Sequence, residues 1–464
     1  MNVTTPIREA ALRTPHAIAV ILADHVKIST ARLEQLIDCV GHRLLAAGLG
    51  TAPGQIVGLD IAGGDEFPKI VAALALARLG VASADTGFAP GRLAASLTQL
   101  QLDRLWAALP APGEPVAALP VHADGSTILR YIGSSGTTGL RKVAAFSHAA
   151  MGARIAGYDT RMGGHGPVRI VAGGFGGSWG LRNLLCCLGQ GATLVLTNPD
   201  DAAIAIRRHR VTGLSIAPIS VQRIVLGLAD NAVPPPDLRL VSVGGSTLPT
   251  LLRAKVRAGL CANLMARYGC METGQIASTP MTDAPGYAGQ LQDGVEVVVL
   301  DEHGQKLPHG EEGRLCYRTR GMVLRYEDDA ALSAATFRDG WFQSGDIGRV
   351  SESGWLSLTG RDRDLINHGG VKVAPFVIED VLMSIAGVTE AAAFGVPDRY
   401  GMERIWAAIS ATRPVAHAEL TTVCRGRLGD RSPARIMQMP ALPRNANGKV
   451  MLRELVAFAV TQQT

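Results

Sequence analysis

The stretch YIGSSGTTGLRK, residues 131–142, sets glycines and hydroxyl side chains ahead of a basic pair. Glycines let backbone N–H groups approach an anion closely, and hydroxyls add further donors. Ser134, Ser135, Gly136, Thr137, Thr138, Gly139 and Lys142 are therefore candidates to hold phosphate. The pattern is not a nucleotide-binding Walker loop, which requires G-x-x-x-x-G-K-[ST]. Gly139 is followed by Leu140 and Arg141, and Lys142 by Val143. Nor is it GxGxxG. By itself the stretch reads equally well as a surface loop.

The surrounding chain has the texture needed to position such a loop. TARLEQLIDCVGHRLLAAGL, residues 30–49, has apolar residues at helical spacing, with a cap at Ser29 or Thr30 and a close at Gly50. QIVGLDI reads as a buried strand and FPKIVAALALARLG as a helix ending in glycine. Strand and helix keep alternating through RIVAGG, LRNLLCCLGQG, ATLVLTN, DAAIAIRRHR, VTGLSIAP and LRLVSVGG. That order predicts parallel sheets covered by helices, an α/β fold. From about residue 285 the texture turns antiparallel, as in VEVVVLDEHGQKLPHGEEGRLCYRTR, and a smaller α+β unit begins near GRDRDLINHGG.

Length and composition narrow the class. At 464 residues two or three domains are expected, and 47% hydrophobic residues suffice for sizeable cores. A net charge of +5 without any Lys/Arg-rich run interleaved with aromatics argues against nucleic acid as a partner. Seven cysteines without CxxC pairing, two of them adjacent at 186 and 187, read as buried free thiols rather than zinc ligands. AIAVILADHV is too short to span a bilayer, and IVAALALARLGVA is broken by Arg78. A soluble, cytoplasmic protein with no membrane partner is the expectation; the oligomeric state, a homodimer included, is open.

Four further segments follow the loop in order: RYGCMETG at 267–274, SGDIG at 344–348, GRDRDLINHGGVKV at 360–373 and LPRNANGK at 442–449. With the loop, and over nearly the whole chain, they resemble the adenylate-forming superfamily of acyl- and aryl-CoA ligases, adenylation domains and luciferases. The likeness is strongest to aryl-acid and acyl-CoA ligases. It implies a large N-terminal domain, residues 1–362, built of layered α/β subdomains and a β-rich subdomain. A small mobile α+β domain, residues 363–464, follows. It also implies ATP-dependent activation of a carboxylic acid to acyl-AMP with release of pyrophosphate, then thioester formation with coenzyme A. One alternative is a stand-alone enzyme that loads the acid onto the phosphopantetheine of a carrier protein. Another is a nucleotide-binding homologue with impaired catalysis.

Residue roles follow from the resemblance. The loop, Thr138 included, would cradle the outer phosphates of ATP. Glu272 would ligate magnesium, since a carboxylate beside a triphosphate is unfavourable unless a cation intervenes; its other reading is a cap on a helix starting near Gly274. Tyr268 and Gly269 would meet adenine opposite the turn at Gly244, Gly245 and Ser246. Asp346 would accept the ribose hydroxyls, with Arg361 as a ribose or phosphate donor. Lys449 would bridge the attacking carboxylate and the α-phosphate. The small domain would pivot at Arg363, and Gly369 and Gly370 would line the channel for the thiol. Phe175, Trp179, Ser220, Ser246 and Met271 are candidates for the acid pocket, Phe175 and Trp179 as gate or as core. Gly176 follows Phe175 where amino-acid-activating domains have Asp, which disfavours an amino acid and weakly favours a small aromatic or short acyl group. Leu140, Met271 and Arg363 depart from the family's usual Pro, Thr, and Asp or Lys.

Overall fold

The computed structural model describes residues 1–462 apart from 51–53, 61–64, 87–94, 98, 122–123, 135–141, 157–168, 173, 199, 229–232, 246–247, 249, 282–286, 328, 363–364, 369–370, 399–401 and 445–449. Two sheets carry the first three quarters of the chain. The smaller orders its strands as Ala95–Leu97, Ile56–Leu59, Ala82–Asp85, Ile128–Ser134 and Lys142–Ser147. All neighbours are parallel except the last pair, a hairpin.

The larger sheet changes character partway across. Ile18–Ile21, Thr193–Val195, Arg169–Ala172, Gly213–Ile216, Leu240–Gly244 and Leu264–Cys270 lie side by side and parallel to one another, with Lys27–Ser29 antiparallel at the edge beyond Ile18–Ile21. From Gly274–Pro280 onward, through Tyr287–Leu291, Trp355–Arg361, Trp341–Val350, Gly313–Thr319 and Val295–Leu300, the pairs are antiparallel. The change therefore comes at Gly274, about ten residues earlier than the sequence texture suggested, because the first antiparallel strand still buries Ile276 and Ala277 as a parallel core strand would. Beyond Ile366 come a hairpin, Ile366–His368 with Val371–Val373, and a three-stranded sheet, Val388–Pro397, Glu403–Ala411 and Arg435–Gln438. Helices Pro375–Met383, His417–Leu428 and Leu452–Thr461 accompany them.

Local signals explain the first helices. Ser29 caps helix Thr30–Ala46 by accepting from the Arg32 amide at 3.1 Å. The helix stops four residues short of Gly50, the expected close, since Gly48 already takes a left-handed φ of +78°. Helix Glu66–Leu79 buries every residue from Phe67 onward and ends at left-handed Gly80. Its Arg78, which interrupts the apolar run in sequence, is fully buried and paired. Nη1 lies 2.6 Å from Glu34 and 3.1 Å from Asp38, and Arg8 reaches the same two carboxylates. All seven cysteines are free, five of them buried. Among the described residues no helix is long and apolar enough to cross a membrane.

Removing one partner of a buried charge network leaves the others desolvated and uncompensated. Arg78→Met should therefore cost about 3 kcal/mol of unfolding free energy. Urea denaturation followed by circular dichroism measures this; an unchanged midpoint would contradict it.

Candidate active site

Two of the phosphate-loop candidates, Ser134 and Lys142, end and begin the two strands of a hairpin. Ser134 pairs with Lys142 across the two strands, while Ser135, Gly136, Thr137, Thr138 and Gly139 lie outside the described residues. Lys142 Nζ is 3.5 Å from the Tyr326 hydroxyl and 4.9 Å from that ring's centre. The Tyr326 hydroxyl donates to Glu272 Oε1 at 2.5 Å. A hydrogen bond from the Glu327 backbone N–H to the Val143 carbonyl, 2.7 Å, ties this segment to the hairpin. Lysine, tyrosine and glutamate thus form a continuous chain beside the loop.

The backbone of Glu272 is held as firmly as its side chain. Arg154 donates to the carbonyls of Met271 at 2.9 Å, Glu272 at 2.8 Å and Gly321 at 2.7 Å. Its guanidinium also lies 4.7 Å from the centre of the Phe146 ring. Burial pushes Arg154 down to about 10 and pushes the Cys270 thiol up to about 12, so at neutral pH one is a cation and the other a neutral thiol. Glu272 itself is 8% exposed. It caps no helix: Gly274, at φ +81°, opens a strand, and that reading is corrected.

Register places the ribose candidates together. Asp346 and Arg361 are direct cross-strand partners, and Arg361 Nε donates to Asp346 Oδ1 at 2.8 Å. The Tyr268 hydroxyl donates to the other oxygen and lies 3.2 Å from the Tyr317 hydroxyl. Burial, then Tyr317 and Asp346, hold the Tyr268 hydroxyl well above the ordinary tyrosine range, so it remains a donor. Gly269 is a steric requirement, because a β-carbon there would stand 2.1 Å from the Gly274 carbonyl oxygen. At Gly244 a β-carbon would meet the Trp179 ring at 3.2 Å. Gly245 takes a φ of +96°, and Ser246 lies outside the described residues.

The pocket candidates separate. Trp179, on the first turn of helix Ser178–Gly189, is partly exposed and lies against Gly244 beside the motif strands. Phe175 is buried under the Arg130 guanidinium. Met271 packs against the large core, and Ser220 occupies the first turn of helix Pro218–Leu226. Arg363, Gly369, Gly370 and Lys449 lie outside the described residues. Their flanks are described: the Asp362 amide bonds the Gly345 carbonyl at 2.9 Å, and Arg444 pairs with Val450. Tyr326, Tyr317 and Arg154 were not found from sequence, since no motif carries them; Tyr326 had only its rarity among 7 tyrosines as a signal.

Residues 100–327 match the AMP-binding enzyme family, and residues 377–449 match the AMP-binding enzyme C-terminal domain. The chain belongs to the AMP-binding enzymes, the adenylate-forming superfamily its motifs resemble. It is an AMP-forming acid–thiol ligase. It is 29% identical to the salicyl-AMP ligase / salicyl-S-ArCP synthetase of Mycobacterium tuberculosis, over 97% of this chain and 90% of that one. With the probable CoA ligase CCL9 of Humulus lupulus it shares 24% identity over 100% of this chain and 97% of the other. Its fold is similar to that of the o-succinylbenzoate CoA synthetase of Bacillus subtilis, with a TM-score of 0.81, 23% identity and 97% of each chain covered.

Ribose is common to ATP and AMP, so a ribose contact should serve both. Asp346→Asn removes one charge-assisted acceptor, worth about 2 kcal/mol, and should weaken both nucleotides roughly 30-fold. Titration calorimetry with each nucleotide checks this; a loss confined to ATP would place Asp346 at the phosphates instead.

Proposed function

We propose that the protein couples ATP to a carboxylic acid and hands the acyl group to coenzyme A, with the site residues in the following roles. The observation that carries this reading is the chain Lys142–Tyr326–Glu272 beside the loop hairpin, one strand-turn from the Tyr268–Asp346–Arg361 cluster. It supports a site with cationic and acidic groups for a triphosphate at one end and acceptors for a nucleoside at the other.

Lys142 and the loop donors grip the outer phosphates. Glu272 fits a magnesium ion: Tyr326 occupies Oε1 and leaves Oε2, and magnesium is usually held by one or two carboxylates plus phosphates and water. Among the described residues no group of three His, Cys, Asp or Glu forms an all-protein cage, which agrees with a cation completed by nucleotide. When bound, magnesium neutralises phosphate charge. Asp346, steered by Arg361 and Tyr268, receives the ribose. Trp179 closes one wall of the acid pocket against Gly244. Lys449 holds the acid's carboxylate against the α-phosphate while an oxygen attacks phosphorus and pyrophosphate departs. The small domain, from residue 363, then turns about Arg363, and Gly369–Gly370 admits the thiol. The thiol sulfur displaces AMP from the carbonyl and its proton passes to solvent.

A second acceptor has specific support. The relative named salicyl-S-ArCP synthetase aligns over 90% of its length, which favours a carrier-protein phosphopantetheine as the alternative to coenzyme A. An acid panel read by pyrophosphate release, followed by CoA and then a pantetheinylated carrier as acceptors, separates the two.

Lys449→Ala should lower acyl-AMP formation by about 10²- to 10³-fold, as loss of a transition-state charge contact does. Thioester formation from supplied acyl-AMP should persist. Equal loss in both half-reactions would remove Lys449 from its assigned role.

A further inference from the structure

Glu272 and the segment MVLRYEDD, residues 322–329, meet at two points. The Val323 amide donates to the Glu272 carbonyl at 2.9 Å, and the Tyr326 hydroxyl donates to Oε1 at 2.5 Å. Tyr326 is itself fixed. It is 2% exposed, its amide donates to the Ser333 hydroxyl at 2.9 Å, and its ring centre lies 5.2 Å from that of Phe337. The next amide, that of Glu327, bonds the Val143 carbonyl of the loop hairpin. Lys142 Nζ lies over the Tyr326 ring and 3.5 Å from the hydroxyl that Oε1 accepts from. A cation therefore already stands on the Oε1 side of the carboxylate. No hydrogen bond to Oε2 comes from any described residue.

A short O–H bond to a carboxylate is charge-assisted and strong. It makes the two oxygens inequivalent: Oε1 is committed to Tyr326, and Oε2 is left for a metal ion. Cations differ in what they ask of a carboxylate. Calcium takes about six to eight oxygens at roughly 2.3–2.6 Å and accepts both oxygens of one carboxylate. Magnesium demands a near-octahedral set at about 2.0–2.1 Å, which the narrow bite of a chelating carboxylate does not suit. A single presented oxygen, supplemented by phosphate and water, is the arrangement magnesium takes.

We propose that Tyr326 is a positioning residue that sets the metal preference of the site. By holding Oε1 it limits Glu272 to one ligating oxygen, and so favours magnesium–ATP over calcium–ATP. This rests on the reading of Glu272 as metal ligand given above. The ring that carries Lys142 is common to tyrosine and phenylalanine, so the hydroxyl can be removed by itself.

Titration calorimetry with ATP tests this in the wild type and in Tyr326→Phe, with magnesium or calcium saturating the nucleotide, and in EDTA. A hydrogen bond to a charged group is worth about tenfold or more in an equilibrium constant. The wild type should therefore bind magnesium–ATP about tenfold more tightly than calcium–ATP. The variant should bring the two within about threefold, through tighter binding of calcium–ATP, while AMP binds as before. Loss of a merely structural contact would weaken both complexes alike and leave their ratio as it was. An unchanged or wider ratio in the variant overturns the proposal. So does a wild type that binds the two complexes equally well, whether or not the variant folds. A wild type whose ATP affinity is the same in magnesium, calcium and EDTA would instead sink the reading of Glu272 as metal ligand.

Discussion

A carboxylate buried where we propose that a triphosphate binds is the constraint on which this structure turns. Glu272 cannot leave, because Arg154 and Val323 hold its carbonyl, and it cannot swing freely, because Tyr326 holds one oxygen. Its negative charge is tolerable beside phosphates only with cations around it. Lys142 stands one hydroxyl away, and the remaining carboxylate oxygen suits a divalent ion. Arg154 contributes a second, fixed positive charge beneath the same turn. On the proposed reading, the charges are arranged before any nucleotide arrives, and little reorganisation is left for the reaction itself.

Topology delivers these groups to one place. The large sheet passes from parallel to antiparallel pairing at the turn between Leu264–Cys270 and Gly274–Pro280, so Tyr268 and Glu272 emerge at the join. On the antiparallel side, the pairing of Trp341–Val350 with Trp355–Arg361 sets Asp346 directly opposite Arg361. A slip of one residue there would turn both side chains to the other face. Gly269 lets the turn close, and Gly244 lets the parallel strand meet Trp179.

Much of this was legible in the sequence, for physical reasons. Helix Thr30–Ala46 announces itself through periodicity and its Ser29 cap, and helix Glu66–Leu79 through a long apolar run closed by Gly80, all local signals. The ordered motifs singled out Glu272, Asp346 and Arg361 as candidates, and the structure pairs Asp346 with Arg361. What could not be read was tertiary. Tyr326 lies 54 residues from the carboxylate it holds, and nothing in VLRYEDD points to that partner. Arg154 looks like any helical arginine until its three carbonyl partners are known. The join at Gly274 was missed because a buried antiparallel strand and a buried parallel one share the same apolar texture.

The account stands or falls on Glu272 as the group that couples metal to triphosphate. Calorimetric titration of ATP into the protein, with and without magnesium, measures that coupling directly in the wild type and in Glu272→Gln. The wild type should bind ATP at least about tenfold more tightly with magnesium present, a coupling that the variant loses while its affinity for AMP is retained. Magnesium strengthening ATP binding equally in both proteins would contradict the account.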